Sequence, residues 1–421
     1  MTAAVVPLTL QDVRRRGRVR TAGALFGPAF VASVAYVDPG NFATNFAGGA
    51  EHGYRLVWVI VMANLMAVVV QYLTSKAGLA TGRSLPELCR DRFGRRANLV
   101  LWLQAEIVAM ATDLAEFVGA AVGLNLVFGL PLLPAGLITA VVAFAVLALE
   151  QRGYRRFELA IIALLAFVGA GFLYVFLAAG GQHYGALAGG AVPHLGGGDE
   201  LSLTVGIIGA TVMPHVVYLH SALQKGRIRA VDGPERRTLL TYNRWDCIIG
   251  LGLAGAVNLS MLCIAAALFH RPGLSGVSDL GSIHAHLDQL VGGGAALAFG
   301  IALMASGLSS SSVGTHAGQI VMAGFMNWRI PLLLRRTLTM LPSLLVLAAA
   351  PDTSQALILS QIVLSFGIPF ALVPLLLITR DRRVMRDMAN RRVTSAAMLV
   401  ITVVISGLNG YLLYDAVGPR F

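Results

Sequence analysis

Charge is scarce in this 421-residue chain: Asp, Glu, Lys and Arg make up only 13% of it, about half the share of an ordinary soluble domain. So little charge cannot cover a large wet surface, and with 56% hydrophobic residues a water-soluble globule is excluded. Cysteine is scarcer still. Cys89, Cys247 and Cys263 stand apart, outside any CxxC or comparable spacing, which excludes a disulfide framework and a thiolate metal cluster. Acids are fewer than bases, 21 against 32, for a net charge of +11. Such an excess suits nucleic acid only when the cations gather on one soluble face. Here they fall in short clusters between apolar runs, so nucleic acid is excluded as a partner. The first twenty residues have no apolar stretch before their arginines and no small-residue cleavage site, so no removable signal peptide is expected.

What is abundant is apolar length. Runs near 22–48, 55–80, 97–128, 131–149, 157–180, 201–225, 241–269, 294–324, 330–350, 353–379 and 393–416 are each about long enough to cross a bilayer. They predict an all-α integral membrane protein with eleven spans. The arginines test the division, because short cytoplasmic loops concentrate Lys and Arg. Counting alternate connections as cytoplasmic gathers the clusters at 14–20, 83–96, 152–156, 225–244, 329–336 and 380–392, with Lys76, on one side. Of the 32 basic residues only Arg55, Arg271 and Arg420 fall on the other. The expected organisation is a cytoplasmic tail over 1–21, one transport domain over 22–416 and an exported tail over 417–421. The Gly-rich stretch 180–200 lacks Lys and Arg and reads as a flexible exported connector.

Two spans carry helix breakers at their centres: Asp38-Pro39-Gly40-Asn41 in the first and Met213-Pro214-His215 in the sixth. Breaks at membrane depth are tolerated where the freed backbone is buried in protein or lines a cavity. These are the first spans of two successive groups of five, about 22–180 and 201–379. Because five is odd, the second group enters from the opposite side, giving an inverted repeat with a further helix at about 393–416. Paired interruptions of this kind point to a substrate site. A carboxylate such as Asp38 at bilayer centre costs roughly 2.5–3.5 kcal/mol, so it needs a partner.

The donors at the breaks are the Asp38 carboxylate, the Asn41 amide oxygen, unwound carbonyls near Tyr36 and Ala210, the Met213 thioether and, nearby, the His215 imidazole. Hard oxygens alone suit Mg²⁺ or Ca²⁺, whereas a thioether contributes more to softer transition metals. The mixture points to Mn²⁺ or Fe²⁺. Met213 by itself reads equally as a gap filler.

The DPGN of 38–41, the ATVMPHVVYLHS of 210–221 and the TDLAEF of 112–117 resemble the Nramp family, the natural resistance-associated macrophage proteins, whose bacterial members are proton-coupled manganese transporters. The resemblance runs over essentially the whole chain. It implies a LeuT-like fold and a metal held by Asp38, Asn41, Met213 and the Ala210 carbonyl, joined in inward-facing or occluded states by the Tyr36 carbonyl or the Gln361 side chain. Family members that carry Mg²⁺ or Al³⁺ differ at the methionine, so Met213 favours Mn²⁺ and Fe²⁺. Two positions depart from the family pattern: His316 stands where an apolar or aromatic residue is expected, and Ala323 where a polar or acidic one is.

The third span carries Glu106, Asp113 and Glu116 at spacings that place them on one side of a helix. Arg335 and Arg336 of the ninth span, and His220 and Arg227 at the end of the sixth, are offered as partners. Such a row is either an ion-pair network joining helices or a proton path. The resemblance favours the path, running from Asp38 through Glu116 and Asp113 toward the arginines. His215 reads as a proton carrier, an orienter of a ligand or a gate element; His220 reads equally as an interior histidine. His52, His183, His194, His270, His284 and His286 are expected in solvated exported segments.

An intramembrane enzyme is disfavoured, since HExxH is absent and no Ser-His pair has supporting spacing. The serines of 309–312 read as small-residue helix packing. The expected function is import of Mn²⁺, and also Fe²⁺, with protons as co-substrate, no prosthetic group and a monomeric chain in the bacterial inner membrane. The alternatives are a sodium- or proton-coupled organic-solute symporter of the same fold and an uncoupled metal uniporter.

Overall fold

The computed structural model describes residues 8–15, 25–151, 154–225, 227–229, 233–272, 274, 277, 279–328, 330–349 and 352–417. Arg16, Arg18, Arg20, Arg152, Arg329, Arg420 and most of the two terminal tails therefore lie outside the described residues. The fold is helical, with a single two-residue parallel pairing of β1 (Leu8–Thr9) with β2 (Ile228–Arg229). After α1 (Leu10–Arg14), each apolar run contains helix. The first is divided into α2 (Pro28–Ala35) and α3 (Pro39–His52). There follow α4 (Val57–Thr81), a connecting α5 (Leu85–Arg92), α6 (Arg95–Phe128), α7 (Leu132–Gln151) and α8 (Tyr154–Ala179).

The second half repeats the plan. A short α9 (Tyr184–Gly190) precedes the second divided run, α10 (Asp199–Thr211) and α11 (Pro214–Leu223). Then come α12 (Gly233–Leu268), a surface α13 (Leu280–Leu290), α14 (Gly293–Met326), α15 (Leu332–Ala349) and α16 (Thr353–Thr379). A four-residue α17 (Arg382–Met385) leads to α18 (Arg392–Val417). Eight helical stretches among the described residues are long and apolar enough to cross a membrane.

Two readings need correction. The stretch at 180–200 is not all loose connector, because α9 forms within it from Tyr184. And α12 begins at Gly233, well before the apolar run at 241, because its first turns are a polar extension carrying Glu235, Arg236 and Arg237.

The breaks follow from local chemistry. The residue before a proline is pushed out of the helical region, and Asp38 is extended at φ −91°, ψ 169° with Pro39 as the first residue of α3. Met213 is extended at φ −69°, ψ 116° before Pro214. Small residues let the surrounding helices approach. The most extensive packing joins α6 to α14, where a Cβ on Gly123 would lie 2.6 Å from the Met304 backbone nitrogen and one on Gly307 2.7 Å from that of Ala120. Ser309, Ser310 and Ser312 turn their hydroxyls onto carbonyls of their own helix, so the serine run does pack as a narrow ridge.

Candidate metal centre

At the first break, Asp38 caps α3. Its Oδ1 accepts from the Asn41 backbone N–H at 2.8 Å and from Asn41 Nδ2 at 2.8 Å. The same Nδ2 donates to the Ala210 carbonyl at 3.1 Å. One amide group thus ties the first break to the second. Two carbonyls at the first break are taken by side chains: Tyr36 O accepts from Asn258 Nδ2 at 2.8 Å, and Val37 O accepts from the Ser306 hydroxyl.

At the second break α10 ends on Thr211, and neither Val212 nor Met213 supplies a side-chain cap. Gln361 of α16 lies against both interruptions. A Cβ on Gly40 would stand 1.9 Å from Gln361 Nε2, and one on Gly209 would stand 2.0 Å from the Gln361 backbone carbonyl oxygen. Only glycine leaves room at these two crossings.

Tyr36, Asp38, Asn41, Ala210, Met213 and Gln361 are all fully buried; hydrogen bonds join Asp38, Asn41 and Ala210, Gln361 packs on Gly40 and Gly209, and Met213 is the residue before Pro214 at the second break. Asp38 Oδ2, Asn41 Oδ1 and Gln361 Oε1 are buried without a hydrogen-bond partner. An orphaned buried acceptor ordinarily costs about 1–3 kcal/mol, and these three belong to the cap of the first break and to the helix packed against both breaks. The Tyr36 carbonyl, by contrast, is committed to Asn258.

The acids of α6 divide by partner. Glu106 is held by Arg335 in a paired contact of 2.8 and 3.3 Å. Asp113 lies 3.6 Å from Arg336, which also donates to Ser311 and Thr315. Glu116 makes no ion pair with a described residue; the Ser310 hydroxyl lies beside it, and Asp113, Asp38 and Arg336 act on it electrostatically. One turn on, Gly119 packs against Pro39, so this face of α6 runs from the first break to the arginines.

The histidines and Arg227 sit differently from expectation. His215 Nδ1 meets the Thr112 hydroxyl at 3.2 Å, beside Asp113. His220 instead meets Gln71 Oε1 at 2.9 Å. Arg227 reaches Glu158 of α8 at 3.1 Å and the Phe26 carbonyl at 3.1 Å. As partners for the α6 acids, His220 and Arg227 are corrected: the break turns α11 toward α4, and the connector after it runs along α2 and α8. The histidines expected in exported segments are also less free than expected. His270 engages the Ala50 carbonyl at 3.0 Å and His194 lies 2.9 Å from Glu200.

Several supporting residues escaped sequence reasoning. Gln71 donates to the Tyr36 hydroxyl at 2.6 Å while its oxygen meets His220. Asn45 donates to Asn258, which in turn holds Tyr36 O. Asp246 of α12 accepts from the Gly27 and Ala29 backbone N–H groups at 3.0 and 2.9 Å, satisfying the start of α2. Each is a polar residue inside an apolar run, the one sequence signal that could have found it.

A helical bundle with two interrupted helices crossing at a buried polar centre is the architecture of the LeuT-like membrane transporters. At the level of fold the chain matches the nucleobase-cation-symport-1 family transporter Mhp1 at TM-score 0.59 and 14% identity, over 99% of this chain and 94% of that one. The Nramp-type family model, natural resistance-associated macrophage protein-like, matches residues 29–415, and the chain belongs to that family. Among its relatives, the divalent metal cation transporter MntH of Deinococcus radiodurans is 50% identical over 410 residues, covering 97% of this chain and 94% of that one. MntH of Bacillus subtilis is 46% identical over 389 residues, covering 92% and 91%. A solved manganese transporter of Eremococcus coleocola superposes at TM-score 0.84 with 29% identity, over 98% of this chain and 93% of that one.

Proposed function

We propose that this chain imports divalent transition-metal ions, Mn²⁺ first and Fe²⁺ as well, into the bacterial cytoplasm, coupled to protons. The observation that carries the reading is the set of orphaned buried oxygens, Asp38 Oδ2, Asn41 Oδ1 and Gln361 Oε1, gathered where two broken helices cross beside a buried methionine. The names of the MntH relatives and of the manganese transporter agree with it. In this reading Asp38, Asn41, Met213 and the Ala210 carbonyl are ligands, with Gln361 joining while the site is closed. Tyr36 O joins only when Asn258 lets go. The metal is cargo, and the chain catalyses no covalent step.

A +2 ion arriving at Asp38 stabilises the carboxylate and releases any proton it carries. Glu116, free of ion pairs and adjacent in field to both Asp38 and Asp113, receives that proton, and Asp113 with Arg336 and Glu106 with Arg335 continue the path. His215, set between the metal residues and Thr112, serves the same route. The rest of the reading is a monomer of eleven crossings with the N-terminus cytoplasmic and the C-terminus exported, organised as the tail, transport domain and repeats drawn from the sequence. It rests on the arginine distribution.

Proteoliposomes loaded with a pH dye and given external Mn²⁺ test this. The expected result is Mn²⁺ entry with acidification of the lumen, both lost in Asp38→Ala. Entry at the wild-type rate in that variant would sink the site. Entry without acidification would sink proton coupling and leave the metal site standing.

A further inference from the structure

A groove of about 990 Å³ opens at the arginine-rich end of the bundle, between α4, α12 and the start of α18. Its composition is graded. Lys76, Arg237, Arg244 and Arg391 line the outer part with Leu240 between the two α12 arginines, while Val68 and Ile248 line the part nearer the membrane centre. On α12 the spacing Arg237, Leu240, Arg244, Ile248 puts two cations and two apolar side chains on one face, with Ile248 the innermost of the four. Trp245, exposed beside Arg244, sits where interfacial tryptophans mark the headgroup level.

The cations converge rather than scatter. Arg244 from α12 and Arg391 from the chain leading into α18 both act electrostatically on the Tyr72 hydroxyl of α4. Arg237, Arg244 and Arg391 are exposed, and none forms an ion pair with a described residue. The one acid among the lining residues, Asp387, is engaged by Arg236 at 3.0 Å. Lys76 is turned inward, donating to Asn390 and lying 5.8 Å from the centre of the Tyr72 ring. The start of α18 adds the positive end of a helix dipole. The groove therefore combines uncompensated positive charge at headgroup depth with an apolar channel beneath it.

We propose that this groove is a binding site for an anionic phospholipid of the adjoining leaflet. Arg237, Arg244 and Arg391 hold its phosphate, and Val68 and Ile248 receive an acyl chain. Basic pockets between membrane helices recognise anionic headgroups in this way. Convergence of three guanidinium groups fits a headgroup with two phosphates, such as cardiolipin, better than one with a single phosphate. The site is joined to the central one by two short steps: Tyr72 is next to Gln71, which holds Tyr36, and Arg244 is two residues from Asp246, which holds the start of α2.

The test uses the full chain, stripped of native lipid in detergent and titrated with cardiolipin, phosphatidylglycerol, phosphatidylcholine or inorganic phosphate, with thermal unfolding and native mass spectrometry as readouts. Cardiolipin is expected to raise the unfolding temperature and stay bound, phosphatidylglycerol to do so less, and the other two to do neither. The triple variant Arg237→Gln, Arg244→Gln, Arg391→Gln should bind cardiolipin at least tenfold more weakly, while Arg95→Gln, Arg96→Gln, which removes charge elsewhere, should bind it normally. Should the triple variant fold poorly, Arg391→Gln alone, at an exposed position, should still weaken binding. Equal effects of phosphatidylcholine, reproduction of the effect by inorganic phosphate, or undiminished binding in the arginine variants would each overturn the proposal.

Discussion

The two helix breaks perform one architectural task with different materials. At the first, polar side chains answer the backbone: Asp38 caps α3, Asn258 and Ser306 hold the Tyr36 and Val37 carbonyls, and farther off Asp246 holds the start of α2. At the second, α11 starts on Met213 without a side-chain cap, and the Ala210 carbonyl is reached only by Asn41 from the other break. The anchors differ in the same sense. Buried Asp246 fixes α2, whereas the far end of α11 is fastened by Lys225 to Glu87 at 2.7 Å, a pair half open to water. The first break is capped by charged and polar side chains and the second is largely apolar at the break itself, so charge and selectivity are expected to separate between them.

Asp38→Asn sharpens that contrast most. Asparagine caps a helix as well as aspartate does, so the fold should survive, while Mn²⁺ uptake should fall roughly 100-fold or more, as loss of a metal-site group commonly does. Uptake near wild type would mean that Asp38 is only a cap. Next come the two glycines against Gln361. Gly209→Ala presses a methyl onto a backbone carbonyl that cannot move aside, and should cost about 1–3 kcal/mol in thermal unfolding. Gly40→Ala meets only the flexible Gln361 side chain, so it should cost less stability and show itself in uptake. If Gly40→Ala proves the more destabilising, the second break is not the more tightly packed of the two around Gln361.

Met213→Ala should leave uptake measurable but let Ca²⁺ and Mg²⁺ compete on the order of tenfold better, about 1.4 kcal/mol in relative binding. Unchanged competition would return Met213 to packing. The smallest effect belongs to the outer fastening of α11. Burial works to raise the Glu87 carboxyl, but bonds from Lys225 and Ser84 outweigh it and hold the group below the usual glutamate range. Its stabilisation is therefore whole above that range and lost as pH falls through the lowered value. Glu87→Gln should flatten the acid limb of stability against pH by no more than about 1 kcal/mol, the ordinary worth of an exposed pair. A larger change would show that the second break is clamped as firmly as the first.

Much of this was legible beforehand, for identifiable reasons. Proline and aspartate at bilayer depth have few structural excuses, so Asp38-Pro39 and Met213-Pro214 announced the breaks. The acids of α6 lay at helical spacing, and Glu106 and Asp113, though not Glu116, stand against Arg335 and Arg336. Gln71, Asn258 and Asp246 were not legible as supports, because one polar residue in an apolar run says nothing about which helix it faces. For the same reason Arg227 was matched to the wrong acids: the chain turns after α11, and only three-dimensional placement puts Glu158 beside it. Gln361 was reached through resemblance alone, and its contact with both glycines belongs to tertiary packing.

Gln71 removes a degree of freedom. One amide on α4 is fastened to the phenol of Tyr36, at the end of α2, and to the imidazole of His220, on α11. These are the halves of the two divided helices that flank the breaks toward the same end of the molecule. Thr74 of α4 also donates to the Val217 carbonyl of α11 at 2.6 Å, so α11 is pinned to α4 at two points, and the Gln71 amide is the contact through which its displacement is shared with Tyr36.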